Sequence, residues 1–166
     1  NEDLILDVRV LCAEPQWTVN PANYQYSMNI ISTLMIDSII SNDVYDMVGV
    51  FVGSETRGVG KITFIRSLER YVVCLTIYSN VVSGEALSFR VWDAASCREL
   101  VRVHEPYAFQ ANTVFGSPQN PVTLSATSEV LQQISLAKGW TWFSLNLKSN
   151  NMAFNTVLNK ISPAVG

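Results

Sequence analysis

The feature that most constrains this chain is a series of short segments rich in β-branched and aromatic residues, separated by turn-forming residues. Apolar and polar residues alternate within these segments, as they do in strands that bury one face. Between them stand pairs such as Asn20-Pro21, which fix a turn. The predicted strands are 4–12, 26–36, 48–52, 59–65, 71–78, 87–92, 98–103, 122–126, 130–136 and 141–147. Ten short strands predict an all-β fold, an Ig-like or jelly-roll-type antiparallel β-sandwich.

The end of the chain has a different pattern. Four apolar residues follow Asn150-Asn151 at helical spacing and precede a proline: Phe154, Val157, Leu158 and Ile161. We therefore expect a β-sandwich domain at 1–128. Residues 129–166 are expected to form trailing strands and a short C-terminal helix, packed on the sandwich or starting a following module. In the last predicted strand Trp140 and Trp142 share one side, and we expect both to be packing residues.

The amino-acid composition restricts the class of protein to which this chain can belong. Of the 166 residues 48% are hydrophobic and 15% are charged, so the chain can bury a core. The net charge is −3 and the sequence has no cluster of Lys or Arg, which argues against a nucleic-acid partner. No apolar stretch is long enough to span a bilayer. The first residues lack the pattern of a signal peptide, so we expect an exported protein whose signal is not in this chain.

Single residue counts restrict the chemistry. His104 is the one histidine, so any Ser-His-Asp or Cys-His arrangement would have to use it. It ends a predicted strand next to a proline, where we expect a surface or turn residue, and we predict that the protein is not an enzyme. The three cysteines have no CxxC spacing. We consider only Cys12 with Cys97 for a disulfide, and we expect Cys74, inside a predicted strand, to be buried.

An aromatic segment is the first candidate for ligand binding. Trp17, Tyr24 and Tyr26 lie near amide side chains, including that of Asn23. Sugars are bound by flat apolar faces with hydrogen-bonding groups beside them, so a neutral glycan or a partner protein is the expected ligand. The alternative is that Trp17 and Tyr26 close the end of the sandwich.

An acidic turn is the second candidate site. Asp43 and Asp46 lie around one predicted turn, with Asp37 before them and Glu55 after them. Such hard oxygen ligands suit calcium, although their spacing matches no EF-hand loop. The alternative is a turn capped by its own aspartate side chains. We expect no other cofactor.

Arg90 alternates with Trp92 on one face of a predicted strand. It could stack on an aromatic neighbour or pair with an acidic residue across the sheet. We expect a structural ion pair rather than a ligand-binding arginine, because partly buried charges are usually paired.

Six motifs in order resemble a repeated extracellular module of large secreted or surface proteins of Bacteroidota-type bacteria. They are WTVNPANYQYSM at 17–28, VGVFVG at 48–53 with RGV at 57–59, IYSN at 77–80, GE at 84–85, FRVWDA at 89–94 and GWTWFSLN at 139–146. The resemblance implies an exported β-rich module of a long surface protein and implies no activity. In that family a cysteine usually precedes the RGV motif, whereas this chain has Thr56, so no bridge can start there and the pairing of Cys97 stays open.

The sequence therefore predicts one function and leaves one alternative open. The first is a non-catalytic, binding or spacing module of an exported bacterial surface or adhesion protein, with neighbouring modules of the same chain. The alternative is a carbohydrate-binding module attached to a secreted glycan-degrading enzyme. Both place the protein outside the cell or on its surface.

Overall fold

Ten β-strands make up most of the fold in this computed structural model, which describes residues 12–101, 103 and 106–128. The strands are β1 (Tyr26–Ile36), β2 (Ile39–Ile40), β3 (Met47–Val52), β4 (Glu55–Ile65), β5 (Arg70–Ser79), β6 (Ser83–Asp93), β7 (Arg98–Leu100), β8 (Tyr107–Gln110), β9 (Val114–Phe115) and β10 (Val122–Ala126). Two short 3₁₀ helices, Pro21–Asn23 and Arg66–Leu68, accompany them. The predicted all-β, mostly antiparallel sandwich is confirmed. The predicted trailing strands and helix, His104, Trp140 and Trp142 lie outside the described residues.

The sheet is continuous and curled, with the strand order β10-β1-β5-β4-β3-β6-β7. Its pairs are antiparallel except those of β1 with β9 and β10, which are parallel. β4 forms the corner: it pairs with β3 through Lys61, and from Ile62 onward it pairs with β5. A strand that changes partners in this way lets one sheet fold over into two facing halves.

Two glycines make that corner sterically feasible. A Cβ atom on Gly58 would lie 2.6 Å from the Thr76 carbonyl oxygen, and one on Gly60 would lie 2.7 Å from the Cys74 carbonyl oxygen. These separations are too short for any side chain, and the obstructing atoms belong to the β5 backbone. Glycine at both positions therefore permits the close crossing of β4 and β5.

The segment 107–115 connects β6 with β1 at one end of the sandwich. Its first part, β8, pairs with β6, and its last part, β9, pairs with β1. Between them the Asn112 amide donates to the Ser27 carbonyl, and the Asn29 amide donates to the Thr113 carbonyl. The curled sheet is thus bridged between β6 and β1, which protects two strand edges that would otherwise be exposed.

The core lies between the two halves and consists of the inward members of each alternating strand. Its fully buried side chains include those of Phe109, Met28, Ile30, Leu34, Leu75, Ile77 and Leu124. The residues between them along each strand face the outer side of the sheet, because successive side chains of a strand point to opposite faces.

The structure answers one open question about the cysteines and corrects one prediction. Cys12 and Cys97 form a disulfide, with their Cα atoms 5.6 Å apart. Cys74 is exposed, contrary to the expected burial. Its neighbours Val73 and Leu75 face the core, so strand alternation turns Cys74 outward.

Two fully buried serines allow a matched test of the core. The Ser79 hydroxyl donates to Glu85 and accepts from the Val81 amide, whereas the Ser32 hydroxyl has no hydrogen-bond partner within the described part of the chain. We expect Ser79→Ala to lower the free energy of unfolding by about 1.5 to 3 kcal/mol, because a charged partner loses a bond. Ser32→Ala should leave it unchanged or raise it. Urea unfolding of both variants measures the difference, and equal losses would contradict this account.

Candidate functional site

The predicted aromatic segment lies on a strap, defined here as residues 12–25, which crosses the outer face of the sheet. The disulfide fixes its first residue to Cys97, in the turn between β6 and β7. Two residues later, Glu14 pairs with Lys61 of β4 at 2.7 Å. The strap then passes over β3 and reaches β1, so its aromatic residues are held on the sheet from outside.

Trp17 packs on a glycine of β3. A Cβ on Gly49 would lie 2.7 Å from Trp17 Cε3, so only glycine leaves room for the indole. The indole also meets Phe51 edge to face, with the ring centroids 5.7 Å apart. Val48 and Val50 belong to the core, which places Gly49 and Phe51 on the opposite, outer face. Trp17 thereby covers apolar surface that the curled sheet leaves outside its core.

Arg90 completes this outer cluster. Its guanidinium carbon lies 4.3 Å from the centroid of the Phe51 ring, within cation–π distance. Its Nη1 atom lies 3.2 Å from Glu99 Oε1 on the neighbouring strand β7. The expected structural ion pair is therefore confirmed, together with stacking on an aromatic neighbour.

The Asn80 side chain forms hydrogen bonds with the backbone on both sides of Tyr24. Asn80 Oδ1 accepts from the Gln25 amide at 3.0 Å, and its Nδ2 donates to the Asn23 carbonyl at 3.0 Å. Just before this, Asn20 caps the 3₁₀ helix by accepting from the Ala22 amide. Both residues that flank Tyr24 are thus tied to the end of β5, so the backbone that carries the ring is fixed.

The Tyr24 ring contacts side chains of β4 and β5. It stacks on Tyr78 with the centroids 6.1 Å apart and the planes 25° from parallel. Its hydroxyl donates to Glu55 Oε1 at 2.6 Å, and the Arg57 guanidinium carbon lies 5.1 Å from its centroid. The ring is half-buried, which leaves part of its surface exposed beside the exposed residues Asn23 and Gln25.

Arg57 reaches this position because β4 carries a bulge. The register with β3 shifts between Val50, which pairs with Gly58, and Phe51, which pairs with Thr56. Arg57 is the extra residue, and bulges redirect the side chains that they carry. Its guanidinium donates to both carboxylate oxygens of Glu85, at 3.2 and 3.3 Å, and to the Tyr78 carbonyl.

Two carboxylates balance the buried Arg57 charge. Glu85 continues the inward row of Leu87 and Phe89, so the ion pair closes one end of the core. Glu55 Oε2 lies 3.2 Å from Arg57 Nε, at an angle that forms no hydrogen bond. Because the two carboxylates compensate the charge of Arg57 within the protein, this surface does not present a free positive charge to a ligand.

The hydrogen bond between Tyr24 and Glu55 changes both pKa values. It lowers the pKa of the exposed Glu55 carboxyl below its ordinary 4.5 by stabilising the charged form. It raises the pKa of Tyr24 above 10.0, because the hydroxyl proton is held by a carboxylate. The bond is therefore intact across the neutral range.

Tyr26 and the acidic turn are placed differently from the strap aromatics. Tyr26 opens β1 and packs against the core, on the same face as Met28. Asp46 is buried; its carboxylate accepts from the Ser41 hydroxyl at 2.5 Å and from the Ala94 amide at 2.9 Å. Asp43 accepts from the Tyr45 amide, as an aspartate-capped turn does.

Calcium would need more oxygen ligands than these two side chains supply, since it takes six to eight. Among the residues described, no group of three or more His, Cys, Asp or Glu side chains is arranged to hold a metal ion. The hydrogen bonds of Asp46 instead join the 41–46 turn to the end of β6. Calcium at this turn stays a prediction.

Several residues of the Tyr24 surroundings carried no sequence signal strong enough to predict them. Asn80 and Glu85 are far from the strap in sequence, and their roles depend on β5 ending and β6 beginning beside it. Arg57 had one usable signal: it directly precedes a glycine between two predicted strands, where glycine permits a bulge.

Comparison with protein-family models, with curated proteins and with solved structures finds no match. The resemblance to a bacterial surface module therefore stays a hypothesis based on the motifs themselves. Of the residues that the structure covers, none belongs to a helix long and apolar enough to cross a membrane.

The Tyr24–Glu55 bond predicts a pH dependence of stability. A lowered carboxyl pKa contributes stability above about pH 4.5 that is lost as the pH falls through the folded-state value. A raised tyrosine pKa contributes stability below about pH 10 that is lost as the pH rises through the folded-state value. The wild-type protein should therefore be more stable than Tyr24→Phe. The difference in unfolding free energy should be largest between about pH 4.5 and about pH 10. Urea unfolding of both proteins from about pH 3 to about pH 11 measures this, and a difference independent of pH would contradict it.

The acidic turn offers a matched pair of variants. Asp46→Ala removes two buried charge-assisted hydrogen bonds, so we expect a loss of about 3 kcal/mol in unfolding free energy. Asp43→Ala removes a bond nearer the surface and should cost about 1 kcal/mol or less. Thermal melts with chelator and with millimolar-scale calcium decide the metal question. A calcium-dependent melting temperature that Asp46→Ala abolishes would establish the site, and identical melts would reject it.

Proposed function

We propose that this chain is a non-catalytic module of an exported bacterial surface or adhesion protein, and that it binds a neutral glycan or a partner protein through the exposed side of the strap. The proposed surface consists of Trp17, Asn23 and Tyr24, with Gln25 and Glu55 at its rim. The observation that carries the proposal is the fixed, half-exposed Tyr24 ring with amides beside it. A rigid aromatic face binds with little ordering cost, and the adjacent amides supply hydrogen bonds.

Electrostatics supports a neutral ligand. The guanidinium beneath the Tyr24 ring is paired with Glu85 and approached by Glu55, so its charge is compensated internally. The chain as a whole is acidic, with a net charge of −3, which disfavours polyanions. A polar, uncharged ligand fits this surface better than a nucleic acid or a sulfated chain.

The disulfide supports an extracellular location. Bridges such as Cys12–Cys97 persist in oxidising surroundings, including the surface and the exterior of bacteria. The alternative function, a carbohydrate-binding module of a secreted glycan-degrading enzyme, shares that location and uses the same surface. Repeats of this module in the parent protein would favour adhesion, and an adjoining catalytic domain would favour glycan targeting.

We expect Tyr24→Ala to weaken binding to a glycan array or to cells by about tenfold, equivalent to about 1.4 kcal/mol. Phe64→Ala is the matched control, since Phe64 is also an exposed aromatic but lies at the opposite end of β4 from Glu55. A tandem copy should bind more strongly than one module, because the second contact is intramolecular.

Two outcomes would contradict the proposal. Unchanged binding by a folded Tyr24→Ala variant would remove Tyr24 from the binding surface. Unfolding of Tyr24→Ala, or absence of binding by single and tandem modules alike, would make the strap a structural element and the module a spacer. Circular dichroism of each variant separates loss of binding from loss of fold.

A further inference from the structure

A groove lies at the start of β5, at the opposite end of that strand from Tyr78 and the proposed ligand surface. It forms where β1 changes its antiparallel partner: β5 pairs with β1 up to Ser32, and β2 pairs with it from Met35 onward. The loop 119–121, which precedes β10, borders the same groove. Its volume is about 550 Å³, within the range of cavities that hold small molecules. We call it the Arg70 groove, after the arginine that lines it.

Two adjacent residues of opposite charge line this groove and do not pair with each other. Within the described residues, neither Glu69 nor Arg70 belongs to an ion pair. Arg70 is half-buried, and its Nη1 donates to the Gln119 carbonyl oxygen at 2.6 Å, which uses one of the five N–H donors of a guanidinium. Partly buried charges are usually paired, so both groups remain available to opposite charges on a ligand.

The backbone holds both sides of the groove in place. Glu69 ends the second 3₁₀ helix in the left-handed conformation, with φ at 46°, and its amide donates to the Arg66 carbonyl at 3.3 Å. On the other side, the Ser117 amide donates to the Asn120 carbonyl, and the Asn120 amide donates to the Ser117 hydroxyl, both at 3.0 Å. A ligand therefore meets a preformed groove and pays little ordering cost.

The rest of the lining is uncharged. Thr33 and Thr123 supply hydroxyl groups, and Met35, Ile40 and Pro121 supply apolar atoms. Hydroxyls can form hydrogen bonds with either charged end of a ligand, and the apolar atoms suit a short carbon chain. The groove thus presents one charge of each sign and no net charge.

We propose that the Arg70 groove binds a small zwitterion, an amino acid whose ammonium and carboxylate groups are joined by a short carbon chain. The guanidinium of Arg70 binds the ligand carboxylate, and the carboxylate of Glu69 binds the ligand ammonium. A ligand with one charge would leave the other protein charge without a partner. This site is separate from the strap, and the inference does not rest on the proposed function.

NMR titration of the isotope-labelled 166-residue chain tests the proposal. The probes are glycine, β-alanine, γ-aminobutanoate and ε-aminohexanoate, in which the distance between the two charges increases. Butanoate and butylammonium carry one charge each and serve as controls. We expect the best amino acid to shift the amides of residues 69–71 and 119–120 with a Kd of about 1 mM, about tenfold tighter than either control.

Three variants separate the roles of the two charges. Glu69→Gln and Arg70→Gln should each weaken binding of the best amino acid about tenfold. Glu69→Gln should leave butanoate binding unreduced, and Arg70→Gln should leave butylammonium binding unreduced. Arg66→Gln is the matched control, because Arg66 is exposed in the preceding 3₁₀ helix and does not line the groove. It should bind the amino acid as the wild-type protein does.

Four outcomes would overturn the proposal. Butanoate binding as tightly as the amino acids would make the groove an anion site. Tighter amino-acid binding by Glu69→Gln would show that Glu69 repels the ligand, and this variant decides the question even if Arg70→Gln disturbs the 119–121 loop. Shifts at Tyr24 and Asn80 instead would assign the probes to the strap. Absence of saturable shifts with every probe would show that the two charges are only solvated.

Discussion

The close crossing of β4 and β5 is the constraint on which the rest of this structure depends. One continuous sheet can bury a core only if it folds over, and β4 is the strand at which it does so. The β5 carbonyl groups occupy the space where Gly58 and Gly60 would carry a side chain. With any larger residue the two strands would separate, and the facing rows of core side chains would lose contact.

The same strand connects the fold to the candidate site. The bulge that follows from the altered register inserts Arg57, whose charge is then compensated by Glu85 at the end of the core and by Glu55 at the surface. Glu55 in turn holds the Tyr24 hydroxyl. A buried ion pair is costly to form unless its hydrogen bonds are nearly complete, and here those bonds also position an aromatic ring at the surface.

The strap shows how a chain segment without regular structure can be ordered by a sheet. The strap lacks the backbone pairing that a strand would have. It is held instead by a disulfide, by the Trp17 indole packed on Gly49 and by the hydrogen bonds of the Asn80 side chain. The arrangement leaves the strap's outer side exposed while its inner side covers apolar surface. Such segments, positioned by a rigid scaffold, are where binding functions commonly lie.

The sequence by itself determined the strands whose alternation is complete: β1 and β10 have the predicted bounds, and β5 differs by one residue at each end. It also indicated the fold class, whereas it left the pairing of Cys97 open, and only the structure joined Cys12 to Cys97. The strands β2, β8 and β9 were missed, because two to four residues are too few to show a period. Only the tertiary structure decided that Asn80, Glu85 and Arg57 surround Tyr24. Local pattern sets the direction in which each side chain points from its strand, whereas the partners that it meets depend on where the sheet folds.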